Sequence, residues 1–493
     1  MRTPPAVEPV TLLHLTHLQR LDYSPLTAYR QTTKNCKRSL YNASRTGYTS
    51  SVADKERRRF RVRTREERDG EPGKGGDMRR RLRERPRIRP HVLGYLTEEK
   101  ETLRQGFAAL FVSSVGELVA GIVLAGIAGT LEELVGLAVL IPAAIGMRGA
   151  IFGAMGSRLS TSIQTGLFSF DLRRGVLAEN VQAAAVLSLV SGVFLAFLAR
   201  YLSDILGVAT ELSVVDYIVI STVGGIVAGA LLLVITVFVA RTSVARGWDM
   251  DNIAAPMLTA AGDILTLPSL VLAAYFIDIP VFSGSLALVL VVVAVAVTVL
   301  GFRLGTQNLG RILAESLPIL AITGTVTILV GVALEERSEQ FTTLLALSVL
   351  LPAFLQEGGA LGGILSSRLS SKIHLGLLAP RGLPPMAAFR DFVLIYTFAT
   401  GVYLFIGAAS HVLAVALFPD GSSPGLLAMM SISTLAGLIA TTAAVLAAYY
   451  GSVASYRLGL DPDTYGIPII TAAVDLLGFM SLIIALIIFG LAG

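Results

Sequence analysis

Leu140-Ile-Pro-Ala-Ala-Ile-Gly-Met-Arg-Gly-Ala-Ile-Phe-Gly-Ala-Met-Gly-Ser-Arg-Leu-Ser160 returns downstream as Leu350-Leu-Pro-Ala-Phe-Leu-Gln-Glu-Gly-Gly-Ala-Leu-Gly-Gly-Ile-Leu-Ser-Ser-Arg-Leu-Ser370. Each copy is too apolar for a surface loop and too rich in Gly and Pro for an ordinary packed helix. A second echo follows: Asp249-Met-Asp-Asn-Ile-Ala-Ala-Pro-Met-Leu-Thr-Ala-Ala-Gly-Asp263 answers Asp461-Pro-Asp-Thr-Tyr-Gly-Ile-Pro-Ile-Ile-Thr-Ala-Ala-Val-Asp475. Pro142 matches Pro352, Arg158 matches Arg368 and Asp263 matches Asp475. A duplicated unit with an acid inside each apolar segment is what the fold must accommodate.

Working outward, the 493 residues are 53% hydrophobic with mean hydropathy +0.69, the composition of a polytopic all-α membrane protein. A spanning helix needs about 20 mostly apolar residues. Five such segments occur at roughly 105–129, 134–158, 178–200, 214–240 and 254–276; one follows at 281–300, and five more at 309–334, 341–366, 388–417, 424–450 and 465–490. Five is odd, so direct fusion would invert the second copy. The extra crossing restores its direction, predicting parallel repeats about an axis along the membrane normal. The expected organisation is a tail (1–104), a first repeat (105–277), a connecting span (278–304) and a second repeat (305–493).

Charge orients the chain. The tail carries Arg57-Arg-Arg-Phe-Arg-Val-Arg and Arg79-Arg-Arg-Leu-Arg-Glu-Arg-Pro-Arg-Ile-Arg, with few clustered apolar residues to offset ordering entropy, so it is expected to be disordered. Basic runs can bind nucleic acid or anionic lipid. Holding this end in the cytosol is the simpler role, and no nucleic-acid partner is expected. Met78 offers a second start site, and no secretory signal precedes the first apolar run near Phe107. Arg158, Arg173, Arg174, Arg241, Arg246, Arg303, Arg368, Lys372 and Arg457 fall in loops on the tail side, whereas Glu132, Glu133, Asp204, Glu211, Asp216, Glu335, Glu336 and Glu339 fall opposite. This positive-inside pattern predicts a cell-membrane protein with its N-terminus inside and its C-terminus outside.

Asp263 and Asp475 lead the candidate site residues. A carboxylate at a spanning helix's centre costs about 2.5–3.5 kcal/mol, so each must face a cavity or a partner. They are read as the metal-binding pair of a central pore; the bland alternative is a hydrogen bond between helices. Pro142, Gly146, Gly149, Pro352 and Gly359 are read as pore-lining, because Pro removes a helix hydrogen bond and Gly admits close backbone approach. Glu117 and Glu315, in the first span of each half, are either pore-lining or buried structural acids. Their registers relative to Pro142 and Pro352 differ, which is assigned to a longer outer loop in the second half. Glu357 stands where the first copy has Met147, and could snorkel, pair with Arg148 or face the pore. Asp249, Asp251, Asp461 and Asp463 precede helices; they could cap helix starts or form a cytosolic vestibule that attracts cations. His374 and Gln164 hold matching loop positions and are expected to be solvated.

The sole cysteine, Cys36, rules out an internal disulfide framework and a thiolate metal site. No phosphate loop or His-Glu-x-x-His motif appears, so neither an enzyme nor a resident cofactor is expected. Hard oxygen ligands select magnesium, calcium or manganese over zinc or copper. Magnesium gives up water reluctantly, which suits a wide site touching the hydrated ion through few carboxylates.

The Pro-Ala-x-x-Gly-x-x-Gly stretch followed by Ser-Arg-Leu-Ser-Thr, and the Asp-x-Asp-Asn stretch ending in Gly-Asp, resemble the MgtE-like magnesium transporters. The duplicated form resembles their branch called solute carrier family 41. The resemblance covers roughly residues 105–490. It implies that one chain supplies both halves of a pore, so a monomer suffices as a pseudo-dimer. It also implies that Asp263 and Asp475 occupy the family's pore aspartate position, with Pro142, Gly146, Gly149, Pro352 and Gly359 in the stretch lining that pore. The sequence departs from the pattern at Gln356, Ala150 and Ala360, and its head is basic where the bacterial relatives carry an acidic sensor domain.

The leading expectation is a transporter or channel for a divalent cation, magnesium foremost, through the lipid bilayer. A sodium-coupled exchanger is an alternative. So is an intramembrane aspartyl protease with Asp263 and Asp475 as a proton-sharing dyad, although Ala260-Ala-Gly-Asp263 and Ala472-Ala-Val-Asp475 lack the signatures of such enzymes. A scaffold without transport is a third reading.

Overall fold

The computed structural model describes residues 100–246, 250–277, 280–419, 422–459 and 466–491. The tail, Asp249, Asp461 and Asp463 lie outside them, so the readings of disorder and of most of the vestibule stay expectations. Among the described residues the chain is a bundle of helices without strands. They are α1 (Lys100–Gly126), α2 (Ala128–Glu133), a 3₁₀ turn (Leu137–Val139), α3 (Ile141–Gln164), α4 (Val176–Leu206), α5 (Val214–Arg246), α6 (Met250–Ala274) and α7 (Pro280–Arg303). There follow α8 (Gln307–Glu335), α9 (Ser338–Thr343), α10 (Leu345–His374), α11 (Met386–Leu417), α12 (Leu426–Leu458) and α13 (Ile467–Ile488). Eleven are long and apolar enough to cross a membrane, the same eleven segments that hydropathy picks out. Several run past the apolar core, α5 and α12 to 33 residues each. The protein is therefore a multi-pass membrane protein.

Pro142 falls in the first turn of α3, where its missing N–H has no helical partner to lose. Pro352, by contrast, lies inside α10. Both Gly-rich stretches are regular helix, not unwound backbone. Gly therefore serves here to make room beside the helix, left open at Gly149 and filled by the Thr471 side chain at Gly359, not to free its carbonyls.

Within each half, helices two to five pack on one another: α3, α4, α5 and α6, then α10, α11, α12 and α13. The first helix of each half does otherwise. α1 packs chiefly on α10 and α11 of the second half, and α8 on α3 and α4 of the first. Each keeps one same-half or matched neighbour near the centre, α1 with α6 and α8 with α13. The exchange depends on two glycines. A β-carbon at Gly121 would lie 2.8 Å from the Val349 Cα, and one at Gly331 would lie 3.0 Å from the Val139 Cα, both inside contact distance. The matched short helices α2 and α9 also pack together.

Those crossings fix the register between halves. The same spacing separates Gly121 from Gly331 and Pro142 from Pro352, so the outer connections are equal in length. That corrects the reading of a longer second outer loop. Thr327, not Glu315, is the counterpart of Glu117.

Candidate functional site

The exchange gathers acids from several helices. Glu117 on α1 and Asp263 on α6 are buried, with their carboxyls close enough to interact. Two carboxyl groups so placed repel unless a proton or a cation sits between them. Glu117 Oε2 and Asp263 Oδ1 have no partner among the described residues. Glu357 on α10 is 0% exposed; it accepts a hydrogen bond of 2.8 Å from Ser114 Oγ of α1 on one oxygen, and its Oε2 is unpartnered. Glu117 lies within electrostatic range of Glu357, and Asp475 within range of Asp263. Asp475 is half-buried. Gly359 abuts it: a β-carbon there would lie 3.8 Å from Asp475 Oδ1.

The other expected lining residues are distributed unevenly. Beside Gly149 there is open space within 4 Å, Gly146 is exposed, and a β-carbon at Gly146 would lie 3.7 Å from the Thr327 methyl group. Pro352 is buried and Pro142 half-buried. Glu315 is not drawn into the acidic centre. It forms a 2.9 Å ion pair with Arg311 one turn away, and its side chain is 43% exposed. The physical reason is its register, since it sits several turns before Thr327, the position that matches Glu117. Asp251 lies in the first turn of α6. His374 Nδ1 donates to the Ser370 carbonyl, 2.8 Å away, and the ring packs edge-on against Tyr456.

Pattern reading missed two participants, Ser114 and Tyr403, and offered Arg148 to Glu357 as a partner it does not have. Ser114 is an ordinary small residue in a spanning helix, and only the exchanged packing reveals its bond to Glu357. The Tyr403 hydroxyl is buried without a partner within electrostatic range of Glu357 and Asp475. Arg148 is buried and does not pair with Glu357. A further feature is structural. Arg158 donates to Asn180 Oδ1 (2.7 Å), and Arg368 and Lys372 both contact the buried Asp391 (3.0 and 2.6 Å), clasping α3 to α4 and α10 to α11 at matched places. The Arg-Leu-Ser triplets read as loops are the last turns of helices.

Among the described residues no three His, Cys, Asp or Glu side chains converge closely enough to hold a bare metal ion. The acids instead come from helices of both halves, Glu117 and Asp263 from the first and Glu357 and Asp475 from the second.

Eleven apolar crossings around such a centre define a polytopic transporter of ions. The family model of MgtE, described as a divalent cation transporter, matches this chain twice, over residues 141–273 and 351–485. The chain belongs to that family. It is 23% identical over 389 residues to solute carrier family 41 member 3 of Rattus norvegicus, covering 75% of this chain and 83% of the relative. The Mus musculus member 3 is 26% identical over 366 residues, covering 70% and 74%. Homo sapiens member 2 is 24% identical over 367 residues, covering 69% of this chain and 62% of the relative. No solved structure matches the chain.

Proposed function

We propose that the protein carries a hydrated divalent cation, magnesium foremost, across the cell membrane through a passage between its two halves. Asp263 and Asp475 face the ion from opposite sides. Glu117 and Glu357 enlarge the negative field from the α1–α10 side. One observation carries the reading: buried Asp263 and half-buried Asp475, from different halves, lie within electrostatic range of each other, with no described cation paired to either. Such an arrangement is costly in an apolar interior unless a mobile cation neutralises it.

The absence of a tight three-ligand set among the described residues suits an ion that keeps its water, since magnesium dehydrates reluctantly. Oxygen-only ligands favour hard divalent ions. The open space beside Gly149 and the accessible face of Asp475 support a path along α3 and α13. The clasp at Arg158 and at Arg368 and Lys372 places basic side chains at one end of the bundle, which supports a cytosolic N-terminus and an outer C-terminus. One chain suffices, because it contains both faces of the passage.

The test is uptake of magnesium and of manganese into proteoliposomes by the wild type, Asp263→Asn and Asp475→Asn. Either substitution is expected to cut uptake by about tenfold or more, the effect of losing one partner of a buried charge contact. Equal uptake by all three proteins would reject the assignment.

A further inference from the structure

Among the described residues Arg148 is the largest fully buried side chain, 1% exposed. Its Nε and Nη1 have no hydrogen-bond partner among the described residues, and no described acid is ion-paired with it. The stem leaves α3 against α6: a β-carbon added at Gly262 would lie 3.8 Å from the Arg148 β-carbon. The guanidinium ends on α5, with Nη2 against Gly225 so closely that any side chain there would displace it. Asp263, the residue after Gly262, has an unpartnered oxygen of its own. An unpaired cation and unpaired carboxylates are thus buried on adjoining helices, each at a cost the other would relieve.

Packing does not require this charge. In the second half the matched position is Gly358, and the counterpart of Gly225 is Gly437. There the Tyr403 ring, reaching from α11, occupies the place against the glycine. Its own counterpart on α4 is Gly192. One half fills the space with a neutral ring, the other with a cation, so the fold can be built either way.

We propose that Arg148 is a tethered counter-cation: parked at Gly225 while the acids are open to metal, it swings about its stem at Gly262 to pair with Asp263 when the site empties. The change is a rotamer switch of one long side chain. It would let the empty protein pass between its inward and outward states without leaving bare carboxylates in the membrane. This inference rests on the cation-transport reading and adds a step to it.

The test compares two fluxes of isotopically labelled magnesium in proteoliposomes holding the full-length protein: net uptake into metal-free vesicles, and exchange against internal magnesium. Arg148→Met is expected to lower the ratio of net uptake to exchange by about tenfold, within the range of site-to-site coupling, and Arg148→Lys to restore it. If Arg148→Met lowers both fluxes in proportion, or changes neither, the proposal is wrong. Gly225→Ala provides a second arm, because its β-carbon evicts the guanidinium. It should raise the half-saturating magnesium concentration about fivefold, and Arg148→Met should abolish that shift. A shift that persists in the Arg148→Met background would assign it to packing and overturn the proposal. Absence of any wild-type flux would instead remove the transport reading itself.

Discussion

Gly121 of α1 lies against the backbone of Val349, in the other half of the chain. Its counterpart Gly331 lies likewise against Val139. Each contact admits no β-carbon, and together they lock the exchanged first helices onto the opposite halves. Gly121→Ala and Gly331→Ala are each expected to destabilise the bundle by about 1–3 kcal/mol, the cost of overpacking a well-filled interior. The measurement is the thermal midpoint in detergent. Gly126→Ala, where a β-carbon meets nothing within 4 Å, serves as the control and should leave the midpoint unchanged.

Glu335, 7% exposed, accepts hydrogen bonds from the Gly136 and Ala138 N–H groups at 2.8 and 3.0 Å. It satisfies the start of the 3₁₀ turn that Gly136, with φ +110°, allows. Tyr217 Oη donates to the Gly136 carbonyl at 3.0 Å and closes the same junction. Glu335→Ala orphans two buried donors and is expected to cost about 2–3 kcal/mol, with Glu335→Gln losing less because one acceptor oxygen remains. Chemical denaturation of the purified protein checks the order.

The basal clasp gives a different expectation. Asp391 is fully buried between Arg368 and Lys372, which are 26% and 32% exposed. Asp391→Ala releases cations that can reach water, so its cost should be about 2 kcal/mol, below that of stranding a fully buried charge. Asp391→Asn recreates the Arg158–Asn180 pairing of the first half and should lose less. A melting series of the two variants tests this.

The eleven crossings were legible because each is a long apolar run whose length alone matches a bilayer. The repeat was legible because Pro142, Arg158 and Asp263 find partners at matched places. Which helix packs on which was not, because apolar periodicity is local and says nothing of the exchange of α1 and α8. That exchange decides the site. It makes Thr327 the counterpart of Glu117, leaves Glu315 with Arg311, and gives Glu357 to Ser114 and not to Arg148. Nothing in the sequence sets Gly225 and Gly262 apart from other glycines of spanning helices, and the buried guanidinium between them has no pattern to announce it.

The same exchange puts Glu117 and Glu357 together at the α1–α10 crossing, where the matched α8–α3 crossing has Thr327 and Met147. The double variant Glu117→Thr with Glu357→Met gives both crossings matching residues. It should fold, since each replacement already packs at the paired position. Magnesium uptake is expected to fall by about tenfold while staying above background, because fewer buried acids attract the ion. Proteoliposome uptake at fixed external magnesium measures it, and unchanged uptake would show that the two acids are structural.

The most direct measurement of the central claim is a double-mutant cycle on magnesium uptake with Asp263→Asn, Asp475→Asn and both together. Residues that serve a single ion are not independent, so the double variant should be little worse than the more damaging single one. If the two losses multiply, the carboxylates act at separate places, and a shared passage between the halves is contradicted.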